Sequence, residues 1–265
     1  MPVIATRVEL AGGMPSIIGR ALLPLAFACL SGVAFAASLA FFLYSYLFLY
    51  GPAGGAPAGS AFMAAAAAAA NVLLFTAFAL HHSVFARTPV KRFVARAVGP
   101  RLERAVYTVV SSVLFAIVCW LWQPVPGVLY ALQAPWTTAA YASLAAGLVV
   151  TTLGARALDP LELAGIRQVL HPRQGSTRGS PADAPPPLKT DGVYALVRHP
   201  VYFGWVLVVF GVPTMTMTRL TFALISIAYL AVAVPFEERS LAETYGSDYA
   251  SYRQKVRWRM LPGLY

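Results

Sequence analysis

The chain has 265 residues, of which 58% are hydrophobic and only 11% charged, with a net charge of +10. Soluble domains carry about 25% charged residues. Here no Asp, Glu, Lys or Arg occurs between Arg20 and Arg87, which excludes a water-soluble globule and implies an integral membrane protein. The basic residues gather in loops between apolar runs, the pattern of segments facing anionic headgroups, so nucleic acid is not an expected partner and the lipid bilayer is.

About 20 apolar residues cross a bilayer as a helix. The first such run spans 21–50. Arg7 and Arg20 precede it and Ala34-Phe35-Ala36 lies within it, but it exceeds the roughly 7–15 residues of a signal peptide's apolar core. It is therefore expected to remain as the first transmembrane helix. After the uncharged turn 51–60 comes a second span over 61–86, with a poly-alanine run suited to close helix packing. A basic loop over 87–104 leads to a third span, 105–122. An uncharged connection, 123–135, leads to a fourth, 136–155.

The polar segment 156–198 opens on a short amphipathic helix over 159–169. Leu161, Leu163 and Ile166 can dip into the membrane while Asp159, Glu162 and Arg167 stay wet. The proline-rich stretch 171–188 reads as a flexible lid or linker. The last apolar region, 200–236, is too long for one crossing. Gly211-Val212-Pro213 interrupts it, so a hairpin with arms 200–213 and 217–238 is expected. At ~1.5 Å per residue the first arm is too short to span fully.

The expected fold is an all-α integral membrane protein of about four full transmembrane helices plus a broken C-terminal hairpin, five to six membrane segments in all. Its parts are an N-terminal anchor and loop (1–60), a helical core (61–156), a cytoplasmic connector (157–198) and the hairpin with its tail (199–265). Lys and Arg are absent from 51–60 and 123–135 and concentrated in the other loops and the tail. That bias places both termini in the cytoplasm if the last region is a hairpin.

The hairpin then brings its two polar ends together. Arg198-His199-Pro200 opens the first arm and Glu237-Glu238 closes the second. Pro200 suits a first helical position, and the free N–H groups behind it, with Arg198, suit an anion. The glutamates suit an ammonium. Tyr194, Tyr202 and Tyr249 add aromatic surface, which attracts cations including sulfonium. The bland reading of the same residues is a snorkelling anchor, with Glu237 and Glu238 paired to Arg239 or Arg253. His81 and His82 are expected at the same depth as His199, as a base, a thiol-orienting group, or plain interfacial residues. No Cys, Asp or Glu stands near them at metal-ligand spacing, so no metal is expected.

RHPVYFG (Arg198–Gly204), the broken hairpin and EERSLAETYGSDYASYR (Glu237–Arg253) together resemble the C-terminal signature of the isoprenylcysteine carboxyl methyltransferase and phospholipid methyltransferase superfamily. The resemblance implies S-adenosylmethionine bound at the cytoplasmic face. It implies that His199 and Tyr202, within the motif that includes Gly204, contact the cofactor, and that Glu238, with Glu237, holds its amino group. It puts Tyr249 in the same binding segment. Arg167 is a further candidate near cofactor or acceptor, and Arg198 a candidate for binding cofactor, orienting acceptor, or anchoring.

FALHHSVFART (Phe78–Thr88), LERAVYTVVSSV (Leu102–Val113), WQPVPG (Trp122–Gly127), LAGIRQV (Leu163–Val169) and GVPTMTMTRLTFA (Gly211–Ala223) are similar to the NnrU-like branch that includes bacterial methanethiol S-methyltransferases. The chain departs from that branch at His81-His82-Ser83, where Gln-His-Ser is expected, and in its longer 171–188 segment. The implied activity is methyl transfer to a small apolar thiol, methanethiol to dimethyl sulfide or sulfide to methanethiol, in a bacterial inner membrane. The alternatives are a lipid-like acceptor or a non-catalytic membrane accessory protein.

Overall fold

The computed structural model describes residues 14–52, 60–85, 87–170 and 186–265. The proline-rich lid expected over 171–188 lies outside the described residues except for its last three positions. Helix α1 (Met14–Tyr44) continues into a π-helical turn (Ser45–Leu49). Next come α2 (Ala61–Phe85), α3 (Thr88–Val98), α4 (Glu103–Leu121), strand β1 (Val128–Ala131) and α5 (Trp136–Ala157). After the short α6 (Pro160–Leu163) and α7 (Ile166–Leu170), a 3-10 turn (Gly192–Ala195) leads to α8 (Pro200–Phe210), β2 (Thr214–Thr216), α9 (Met217–Tyr245) and α10 (Ser247–Lys255). Among the described residues five helices are long and apolar enough to cross a membrane, 22–49, α2, α4, α5 and α9, with α8 as a shorter apolar helix. The all-α membrane architecture is as the composition requires.

Three boundaries differ from the sequence reading. The basic loop 87–104 contains α3, whose Pro89 suits a helix start. Its basic and apolar residues separate by face, which a count of charges hides. The amphipathic stretch 159–169 is two short helices rather than one, divided at Ala164-Gly165. There Gly32 faces Ala164 across α1, and Ser31 Oγ donates to the Ala164 carbonyl. Finally, α9 runs on through Pro235 to Tyr245, where Gly246 at φ +52° ends it and starts α10. A side chain would strain that backbone.

The interior is aromatic. Phe222 of α9 is fully buried, with ring centroids 5.2 Å from Phe42, 5.9 Å from Phe75 and 5.0 Å from Trp122. One side chain thus ties α9 to α1, α2 and the end of α4, in offset and edge geometries that favour aromatic pairs. Helix α8 instead packs on α5 through glycine. A Cβ on Gly204 would fall 2.7 Å from the Gly147 carbonyl and collide with Thr151. The two backbones can meet this closely only where side chains are absent, the small-residue packing typical of membrane helices.

The Gly-Pro break does more than turn the chain. Residues 214–216 pair antiparallel with β1, Thr214 opposite Ala131 and Thr216 opposite Val128. Arg219, 4% exposed, sits just beyond. Its guanidinium donates to the carbonyls of Tyr46 (2.9 Å), Leu47 (2.7 Å) and Thr214 (2.5 Å). A π turn shifts the hydrogen-bond register from i→i+4 to i→i+5, and Tyr50 N donates to Ser45 O in that register. The buried arginine serves carbonyls of that turn. Arg219→Met removes these charged donors and is expected to destabilise the protein by on the order of 3 kcal/mol. Thermal unfolding in detergent checks this, with Thr216→Val, which loses the α9 cap, costing only about 1 kcal/mol.

Candidate functional site

The two ends of the α8–α9 unit meet as the hairpin requires. Arg198 and Glu238 are 7% and 5% exposed. Arg198 Nε donates to Glu238 Oε1 at 2.7 Å, while Arg198 Nη1 donates to the carbonyls of Val256 (2.7 Å) and Arg257 (2.8 Å) in the tail. Arg259 Nε donates to Glu238 Oε2 at 3.1 Å. Arg198 N and His199 N donate to the carbonyls of Trp258 and Arg259, so residues 256–259 lie along the entrance to α8. Both oxygens of Glu238 are engaged, and Arg198 is a fastener between α9 and the tail.

Glu237 is different. Its side chain is 46% exposed. It accepts from the Tyr202 hydroxyl at 2.8 Å and lies 3.4 Å from His199 Nδ1. His199 is buried, stacks on Tyr202 with centroids 5.4 Å apart and planes 5° from parallel, and lies 3.6 Å from Glu238. Its Nε2 has no hydrogen-bond partner. Burial alone disfavours the imidazolium, but hydrogen bonding and charge from Glu237 and Glu238 outweigh it, and the His199 pKa is raised above its ordinary value. Tyr249, beside Glu238, is fully buried, and its phenol is pushed up to about 12 by burial and that carboxylate.

Tyr202 also belongs to a second feature. A cavity of about 490 Å³ lies among α1, α2, α4, α8 and α9. Phe75, Phe78, Phe115, Tyr202, Trp205 and Tyr229 supply its aromatic walls. Of the two candidate histidines, His82 lines this cavity, and its Nδ1 lies 3.0 Å from the Tyr107 hydroxyl. His81 does not line it and stacks on Phe85 at 4.3 Å.

The remaining candidates are more distant. Gly204 faces α5, and its packing accounts for it. Tyr194 is buried, donates to the Gly154 carbonyl at 3.2 Å, and accepts the Tyr252 hydroxyl on its own carbonyl. Arg167 pairs with Asp159 at 2.5 Å and touches neither cluster nor cavity. The structure adds two residues that the motifs did not single out, Arg259 in the tail and Arg104 in the cavity wall. Both look in sequence like ordinary topogenic arginines. The one signal for Arg104 is the polar spacing 104, 107, 108, 111, 112 along one face of α4.

Residues 71–211 match the model of the NnrU protein family, and residues 175–248 match that of phospholipid methyltransferase. The chain is 32% identical to methanethiol S-methyltransferase 1 of Bradyrhizobium diazoefficiens over 70% of its own length and 64% of that protein's. It is 34% identical to the methanethiol S-methyltransferase of Pseudomonas deceptionensis over 73% of its length and 72% of that protein's. The corresponding figures for the Mycobacterium tuberculosis enzyme of that name are 33%, 70% and 75%. No solved structure matches the chain.

Because the folded-state pKa of His199 is raised, its charge stabilises the fold fully below the unfolded value of about 6.5, and this contribution is lost as pH rises through the folded pKa. The unfolding temperature of the ligand-free protein in detergent is therefore expected to fall over that window above about pH 6.5. His199→Gln is expected to flatten the slope.

Proposed function

The chain belongs to the NnrU family, and on that premise we propose that it is an S-adenosylmethionine-dependent membrane methyltransferase acting on a small thiol, methanethiol foremost. The observation that carries this reading is Tyr202, which joins a charged cluster to an apolar cavity.

The cluster fits the donor. S-adenosylmethionine, when bound, supplies an electrophilic methyl group on a sulfonium centre. Glu237 is the carboxylate left accessible to an ammonium, since Glu238 is spent on two arginines. This shifts the amino-group role from Glu238 to its neighbour. The Nε2 of His199, in the imidazolium form, is a buried donor that makes no hydrogen bond and lies 3.6 Å from Glu238 Oε1, a long contact that a ligand carboxylate would replace. Carboxylate and imidazolium side by side suit a zwitterionic amino-acid group. Tyr202 fixes Glu237 by its hydroxyl, and its ring, with those of Trp205 and Tyr107, gives a sulfonium-compatible surface.

The cavity fits the acceptor. It is small and apolar, and His82 is held toward it by Tyr107. Such a space can hold a small sulfur nucleophile beside Tyr202, and orientation is most of what direct transfer needs. The C-terminal ends of α2, α5 and α9 and the starts of α4 and α8 share this end of the molecule with the basic segment 87–104 and with the described residues 156–170 and 186–198. By the positive-inside bias the site faces the cytoplasm.

The test uses purified protein in nanodiscs with methyl-labelled S-adenosylmethionine, offered methanethiol, sulfide, a farnesylcysteine analogue and phosphatidylethanolamine. Labelled dimethyl sulfide in the headspace is expected, and label only in lipid overturns the thiol reading. Glu237→Gln is expected to weaken donor binding about ten- to hundredfold by calorimetry, what ~1.5–3 kcal/mol of a charge-assisted hydrogen bond implies. Its unfolding temperature should fall only by what Glu237 contributes to the charged form of His199. Glu238→Gln should lower the unfolding temperature more, because it leaves buried Arg198 without its counter-charge.

A further inference from the structure

We propose that Arg104 forms an anion site in the cavity wall that takes up the acceptor as its thiolate, an inference that rests on the function proposed above. Among the described residues Arg198 and Arg219 are buried, and Arg104 is half-buried against the cavity. Arg198 and Arg219 spend their donors on a carboxylate and on backbone carbonyls. Arg104, in the first turn of α4, does not. It lines the cavity, and its Nε is buried without a hydrogen-bond partner. Among the described residues no carboxylate forms an ion pair with it. Its guanidinium lies over the Tyr107 ring, 5.6 Å from the centroid.

A cation on an apolar wall is costly unless something pairs with it. A residue held there without a protein counter-ion is suited to an anion that comes and goes. Snorkelling buries the stem of such a side chain and leaves its head in water, whereas here the Nε of the guanidinium itself is buried and lines the cavity without a hydrogen-bond partner. The charged and titratable groups around Arg104 are Glu103 and Tyr107 on its own helix, Lys91 on α3, His81 and His82 on α2, and Tyr202 and Tyr229 on α8 and α9. Among the described residues Glu103 forms no ion pair with Arg104, the cavity lining holds no carboxylate, and Glu237, which meets the lining through the Tyr202 hydroxyl, lies beside His199.

The chemistry needs such a cation. A thiol is a poor nucleophile and its thiolate a good one. On uptake the S–H bond breaks with its electron pair left on sulfur, the proton stays in bulk water, and the guanidinium balances the new charge. The hydroxyls of Ser111 and Ser112, about two turns further along the same face, continue the polar stripe into the cavity. Arg104 is then a specificity device as well. It favours acceptors that ionise over neutral lipids of equal hydrophobicity.

The experiment measures kcat and kcat/KM for methanethiol against pH for wild type, Arg104→Gln and Arg104→Lys, with donor binding by calorimetry reporting that each variant is folded. Arg104→Gln is expected to lose about tenfold or more in kcat/KM at neutral pH and to shift the acid limb of kcat, which reports the bound thiol, upward by about one unit, with donor affinity unchanged. Arg104→Lys should recover most of both. In wild type, thiocyanate should compete with methanethiol while neutral acetonitrile does not, a result that depends on no variant. An unshifted limb in Arg104→Gln, or no competition by thiocyanate, overturns the anion site while leaving the function standing. A wild type that binds donor but methylates no thiol overturns the function and the anion site with it.

Discussion

The Arg198–Glu238 pair decides how the rest of the site is arranged. A guanidinium and a carboxylate 2.7 Å apart, both almost wholly buried, draw the start of α8, the end of α9 and the tail into one knot. Such pairs are weak sources of net stability, but removing one partner costs ~3–5 kcal/mol because the other is left buried and charged. What the pair confers is position. Consecutive helix residues point about 100° apart, so with Glu238 turned inward to the arginines, Glu237 is turned toward Tyr202 and solvent. One glutamate is fixed so that its neighbour can be available.

At its other end α9 repeats the device. Arg219 serves the π turn as Arg198 serves the tail, each satisfying carbonyls of irregular backbone. In a bilayer such carbonyls cannot turn to water. Irregular backbone is therefore found where a buried donor can reach it. Helix α9 runs between two arginine knots, with Phe222 packing the aromatic core between them.

Much of this was legible. Hydropathy gave the spans, because a membrane helix must be apolar throughout its length. The Gly211-Val212-Pro213 break and the loop charges gave the hairpin, and with it the meeting of residues 198–199 with 237–238. The separate fates of Glu237 and Glu238 were not legible, since they depend on Arg259 reaching back from the tail. The strand pair of β1 and β2 was missed because three or four residues carry no period of their own. The length of α9 past Glu238 was missed because polar residues there read as a loop, although a helix leaving the membrane can stay helical. Gly204 read as part of a binding motif, while its evident task is to let α8 lie against α5. A motif records which residues travel together, and packing residues travel with the site they support.

The two family matches cover the two parts of the site unequally. The phospholipid methyltransferase match, 175–248, takes in all of the proposed donor cluster from Arg198 to Glu238 and the α9 wall of the cavity. The NnrU match, 71–211, takes in His82, Arg104, Tyr107 and Phe115 of the cavity wall together with Arg198, His199 and Tyr202. They overlap over 175–211, where Tyr202 faces the cluster through its hydroxyl and the cavity through its ring, and Trp205, one turn on, faces the cavity. A donor cluster made from one hairpin and its tail carries its own hydrogen-bond partners, so it can serve acceptors of different kinds. The acceptor wall comes from other helices, so α1, α2 and α4 can change its size and charge without disturbing Glu237 or His199. On this reading the acceptor is set by the α2–α4 side of the cavity, and Arg104 is where that side departs most from a surface made for lipid.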